Sequence, residues 1–366
     1  MRGCLKVIEC WNALAEEEFE METLWFCLVA VMLALYVVFD GFDIGAGIAH
    51  LFVARTNAER VHVLQSIGPV WDGNEVWLLA AGGTLYFAFP ALYASSFSGF
   101  YLPLMVVLWL LMLRGLGIEF RNRIQSPVWM PFWDVTFSLS SALLAIFYGA
   151  ALGNVVRGVP LNAEGFFFEP LWTDFKLGDN PGILDWYTVM IGVAAFVTLL
   201  VHGCLWIVLR TEGELRRRAR NGVFILWWGL TGLTIVTTVV TFGVQPHIPV
   251  RLQQEPWGYL FPMLAIAGLA GIRWYSQKAR ELEAFLASCL YLIGMLTSVA
   301  FGVYPFVLPS NRGQTFGLTV YNAAAPAYGL RIGLVWWFLG ILLVSGYFIF
   351  IYRRFSGKLK PEEEMH

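Results

Sequence analysis

Long apolar runs alternate with short polar turns along most of this chain. Nine runs stand out, at about 24–48, 71–94, 99–120, 132–153, 185–209, 222–243, 257–275, 282–305 and 331–352. Each is close to the length a helix needs to cross roughly 30 Å of hydrocarbon at a rise of about 1.5 Å per residue. Trp and Tyr gather near several run ends, where an interfacial belt belongs. The pattern predicts an all-α polytopic membrane protein with nine transmembrane helices.

The basic residues alternate with the runs. The loops after the odd-numbered runs hold seventeen Lys and Arg, and the opposite side holds seven. The positive-inside rule then places the N-terminus outside and the C-terminus in the cytoplasm. The longest segment between runs, 154–184, faces outward on this reading and reads as a packed, acidic and aromatic surface loop. Two basic, Glu-bearing turns, "LRGLGIEFRNR" at 113–123 and "LRTEGELRRRAR" at 209–220, echo each other weakly, as a duplicated helix bundle would.

Composition supports the membrane assignment. Of 366 residues, 58% are hydrophobic and only 14% charged, against about 25% charged in ordinary soluble domains. The mean hydropathy is +0.64. The five cysteines form no CxxC pair and read as small apolar side chains, not as a metal or disulfide site. Residues 1–20 are acidic and lack a signal peptide's basic start and cleavage site. They read as an extension or an over-called start, with Met21 opening the membrane domain over 21–366.

Carboxylates at the ends of these runs carry the candidate chemistry. Run 1 ends "VVFDGFDIGAG", with Asp40 and Asp43 on one helix face. Asp40 falls roughly 24 Å into the span. A carboxylate at that depth belongs against protein, and Gly41 and Gly45 let a neighbouring helix come close. Run 2 opens "WDGNEVW", with Trp71, Asp72, Asn74 and Glu75 together. Acids in a first turn suit the helix dipole, but that does not account for Asn74 and the flanking tryptophan. Run 3 ends with Arg114 and Glu119. Topology thus gathers Asp40, Asp43, Asp72, Glu75, Arg114 and Glu119 at one end of three helices. They form either a polar entry that exchanges protons or an ion-pair cluster that fastens helix ends.

Only His202 lies well inside a run. A b-type haem ordinarily takes two facing histidines, so a packed, hydrogen-bonded role is the expectation for it. No HExxH, P-loop, nucleophile elbow or dinucleotide fingerprint occurs, and no catalytic residue or metal ligand is assigned.

The stretches "FDGFDIGAG" (39–47), "GPVWDGNEVWLLAAGGTLYFAFP" (68–90), "SGFY" (98–101), "GNVVRGVP" (153–160) and "YPFVLPS" (304–310) occur in order. Together with the Arg114–Glu119 stretch they resemble subunit II of the cytochrome bd-type quinol oxidases. The resemblance implies two four-helix bundles plus one peripheral helix in a bacterial plasma membrane. It implies a terminal oxidase that oxidises quinol and reduces dioxygen to water. The b- and d-type haems would sit in a partner, subunit I, and this chain would bind none. It also implies a proton route from the cytoplasm through Glu119 and Asp72, with Asp40, Asp43 and Glu75 nearby and Trp71, Asn74 and Arg114 in support. Trp71 would pack against subunit I or against the structural quinone that some members hold; a small single-helix accessory subunit and membrane lipid complete the expected partners. No nucleic acid is among them. Two other readings stand beside this one: a purely structural partner of subunit I, and a secondary transporter. A transporter would need broken helices around a midplane site.

Overall fold

The computed structural model describes residues 21–359, the side chain of 314 excepted, and α1 as a whole runs Arg2–Val53. The acidic extension expected over 1–20 lies outside the described residues. The remaining helices are α2 (Asn57–Ile67), α3 (Trp71–Ala88), α4 (Pro90–Gly99), α5 (Tyr101–Phe120), α6 (Trp129–Arg157), α7 (Trp186–Arg210), α8 (Gly213–Val244), α9 (His247–Gln254), α10 (Leu260–Gln277), α11 (Glu281–Val303), α12 (Val320–Ala323) and α13 (Ala327–Arg354). A small antiparallel pair, β1 (Phe306–Leu308) and β2 (Leu318–Thr319), closes the turn before α12.

Among the described residues, seven helices are long and apolar enough to cross a membrane, so the protein is an integral membrane protein. They are the Met21–Val53 part of α1, and α5, α6, α7, α8, α11 and α13. Two of the nine expected runs take another form. The run at 71–94 is not one helix: α3 and α4 meet at 119°. Pro90 offers no N–H and crowds the residue before it, and Phe89 leaves the helical region at φ −132°, ψ 66°. Counting that bent pair as one span gives eight. The run at 257–275 is α10, which has 18 residues and ends in the polar stretch Arg273–Gln277.

α1 is the hub. It packs on α3, α6, α7 and α11. α5 lies on α6, while α7 lies on α8 and α10 lies on α11. α13 touches the rest mainly through α1, and Leu330 is its one fully buried residue among those described. The α1–α7 crossing is unusually close. A Cβ on Gly45 would overlap the backbone of Leu199 and Gly203, and one on Gly203 would overlap Gly45 and Ala46. The small-residue step at Gly41 and Gly45 therefore serves α7, a helix distant in sequence.

The 158–185 segment folds back on the ends of α6 and α7. Its Phe167 ring fills the space left by Gly99 at the end of α4. Arg157 ties it down, bonding to Glu169 at 2.7 Å, to Asp185 and to Asn154. Asp185 also caps α7, accepting from the backbone N–H groups of Tyr187 and Thr188.

Candidate functional site

α1, α3, α5 and α13 meet at a buried polar cluster. Asp40 and Asp43, three residues apart on α1, are both fully buried. Arg114 of α5 is fully buried as well, and its Nη1 donates to Asp40 Oδ1 at 2.6 Å. Arg114 Nη2 stands 3.3 Å from Glu75 Oε2 of α3. Beside this pair, Asn74 Nδ2 donates to Asp43 Oδ2 at 2.7 Å. The Tyr352 hydroxyl of α13 donates to Asn74 Oδ1 at 2.9 Å. One turn back on α1, Tyr36 donates to the Tyr148 hydroxyl of α6 at 2.9 Å.

The cluster is under-satisfied. Asp40 Oδ2, Asp43 Oδ1 and Arg114 Nε are buried without a hydrogen-bond partner among the described residues. The cluster holds three carboxyls and one guanidinium, an excess of acids over cations. Glu75, with its side chain 25% exposed, is the member that opens toward the surface. Such a set can hold and pass protons.

The sequence grouped six charged residues here, and the structure brings four together: Asp40, Asp43, Glu75 and Arg114. Asp72 and Glu119 point away. Asp72 is exposed, and its Oδ1 accepts from the Gly73 backbone N–H of its own helix at 2.7 Å. Glu119 is 49% exposed and, among the described residues, pairs only with Arg123, one turn on, at 3.4 Å. Trp71 is half-buried, its ring set against the Gly115 position of α5. Asn74 is fully buried at the centre of the cluster.

Two further buried constellations were not singled out in the sequence. Asp134 of α6 accepts from Arg121 Nε at 2.5 Å and Arg60 Nη1 at 3.0 Å, and its Oδ1 lies 2.6 Å from His50 Nε2. The signal was an acid just inside an apolar run. The other is the Arg157, Glu169 and Asp185 set, whose partners lie in a loop without periodicity. Burial pushes the Glu169 carboxyl up to about 7; Arg157 opposes the rise and Asp185 adds to it.

His202 is spoken for on both ring nitrogens. Nε2 faces the Val38 carbonyl at 3.0 Å, Nδ1 faces Ser288 Oγ at 2.7 Å, and the ring stacks on Phe285. A haem iron would have to displace one of these bonds, so the residue does not fit an axial ligand. Among the described residues no three His, Cys, Asp or Glu converge as a metal-binding group.

The family model for cytochrome bd terminal oxidase subunit II matches residues 21–355. The chain belongs to that family. A probable cytochrome oxidase subunit 2 of Haemophilus influenzae is 30% identical, covering 92% of this chain and 94% of the relative. The cytochrome bd-I ubiquinol oxidase subunit 2 of Escherichia coli K12 is 28% identical over 93% of this chain and 95% of its own. The corresponding cytochrome bd ubiquinol oxidase subunit 2 of Bacillus subtilis is 28% identical over 94% and 98%. The structure of the bd oxidase from Geobacillus thermodenitrificans superposes with a TM-score of 0.73 at 17% identity, covering 92% of this chain and 98% of that one. That likeness carries the fold.

Proposed function

We propose that this chain is the haem-free subunit II of a bd-type quinol oxidase in a bacterial plasma membrane. Its partner, subunit I, carries the b- and d-type haems, oxidises quinol and reduces dioxygen to water. This chain braces subunit I and leads protons to it from the cytoplasm. The observation that carries the reading is the buried Asp40–Arg114–Glu75 and Asp43–Asn74–Tyr352 cluster, with its orphaned oxygens and its excess of carboxyls over cations. Family membership supplies the oxidase context.

On this reading Glu119 and Asp72 collect protons at the surface of α5 and α3, and Glu75, one turn beyond Asp72, hands them to Asp40 and Asp43. Asp72 and Glu119 then lie where subunit I covers the chain. The indole N–H of Trp71 has no bond partner among the described residues and suits the carbonyl of a structural quinone; no step passes through that group. The same proposal takes the bent α3–α4 pair and the short α10 as spans. That restores nine, as two four-helix bundles with α13 peripheral, N-terminus outside and C-terminus in the cytoplasm.

The test is quinol-oxidase turnover per haem d in the intact complex, for Asp72→Asn, Glu119→Gln and Glu75→Gln across pH. A proton carrier gives at least about a tenfold loss, about 1.4 kcal/mol on the barrier, with haem content unchanged. Parental rates in all three with full haem would refute the route. A second reading, a purely structural partner, draws on the Asp72 bond to its own Gly73 N–H, which is what a first-turn acid does. Under it Asn replaces Asp72 at a cost of a few tenths of a kcal/mol.

A further inference from the structure

Away from the acid cluster, the basic ends of α8 and α10 form a second polar surface of opposite sign. Arg273 leaves α10 and lies across α8. Its guanidinium carbon is 4.9 Å from the Phe224 ring centre, 5.6 Å from Trp227 and 5.8 Å from Trp228. Lys278 Nζ stands 4.1 Å over the Trp274 ring. Arg220 Nη2 donates to the Ser276 carbonyl at 2.8 Å and so joins the two helix ends. Among the described residues no carboxylate pairs with Arg220, Arg273 or Lys278. The nearby acids are engaged elsewhere: Glu281 with Arg216 and Lys358, Glu283 with Arg280.

A small cavity opens beside these groups, lined by Arg220, Arg280, Glu281 and Ser276. Ser276 is 6% exposed, and its hydroxyl has no partner among the described residues. A guanidinium lying over rings still presents N–H groups at its edge. The surface thus offers three cations without a carboxylate partner to an anion with several acceptor oxygens, with the buried Ser276 hydroxyl behind them. Beyond it the same helices turn apolar and exposed, with Ile225, Trp228, Ile235 and Val239 on α8 and Met263 and Ile266 on α10. Trp228 belongs to both zones.

We propose that the basic ends of α8 and α10 bind the headgroup phosphate of an anionic phospholipid, whose acyl chains lie along the apolar stripe below. Free phosphate shares the headgroup chemistry but has no use for the stripe. Basic groups with aromatic neighbours at a membrane interface attract anionic lipid. The site is independent of the proton route.

The experiment is native mass spectrometry of the purified oxidase complex, titrated with phosphatidylglycerol or with phosphatidylcholine. The parent should hold phosphatidylglycerol at least about tenfold more tightly. Arg273→Gln with Lys278→Gln should weaken that binding by about thirtyfold, the worth of two basic groups at an anionic surface, and leave phosphatidylcholine unchanged. Millimolar inorganic phosphate should not displace the lipid. Equal retention of the two lipids, an unaltered double variant, or displacement by inorganic phosphate would each overturn the proposal. Should the double variant fail to assemble, the exposed Lys278→Gln alone must still weaken phosphatidylglycerol by about fivefold; no change there overturns it equally.

Discussion

Replacing Arg114 by Gln removes the one cation of the buried acid cluster. Its Nη1 lies 2.6 Å from Asp40 and its Nη2 3.3 Å from Glu75. At 2.6 Å an effective dielectric of about 20 gives a gross attraction of roughly 6 kcal/mol. Desolvation of both ions takes back part of that. Orphaning one partner of a buried pair costs about 3–5 kcal/mol, because the remaining charge stays buried. Here Asp40 keeps no other hydrogen-bond partner among the described residues. Arg114→Gln should therefore lower the thermal transition of the solubilised complex by several degrees or more. Adding Asp40→Asn removes the stranded charge and should recover about half of the loss or more. The cycle is read by thermal-shift size exclusion on parent, both single variants and the double. A single Arg114→Gln variant that melts within about 1 °C of the parent, or a double variant no better than it, would refute the pairing argument.

Two further outcomes follow from buried features elsewhere. Glu169 has its folded carboxyl raised to about 7 by burial, against an ordinary 4.5. The fold thus favours its protonated form, and the loop is most stable below about pH 4.5, losing about 3 kcal/mol as pH rises through 7; hydrogen exchange over 166–184 from pH 5 to 8 reads this, and a Glu169→Gln variant with the same pH slope would count against it. Gly203→Ala sets a methyl into the backbone of Gly45 and Ala46, which cannot yield as a side chain can, so about 3 kcal/mol or more should be lost. Gly232→Ala, where a Cβ meets nothing within 4 Å, is the control, and equal yields of assembled chain from the two variants would sink the close-crossing argument.

The membrane character of the fold and most of its long helices were legible because apolar length is a local property. The break at Phe89 was not read: the run 71–94 was expected to be continuous although Pro90 sits inside it. The partners of Arg157 were not legible. Nothing periodic points from it to Glu169, or from His50 to Asp134, 84 residues on. Those contacts exist only once helices have packed.

The acid site divides along the same line, and the division can be reasoned from helix phase. Spacing gathered the acids at one end of three helices, but it did not say which faced inward. Asn74 fixes the phase of α3, because a buried amide must find partners, and it finds Asp43 and Tyr352. Two residues earlier is about 200° round the helix, so Asp72 faces outward. On α5 the buried Arg114 plays the same part. Glu119, five residues on, is turned about 140° away. α3 and α5 thus each send one charged group into the cluster and one carboxylate to the surface, while α1 turns both of its aspartates inward. A carboxylate facing hydrocarbon at mid-bilayer costs about 2.5–3.5 kcal/mol, and at a helix end less. The surface that carries Asp72 therefore suits water or a polar partner better than lipid. On the proposed function, that surface is where subunit I covers α3, with Glu75 behind Asp72 as the way in.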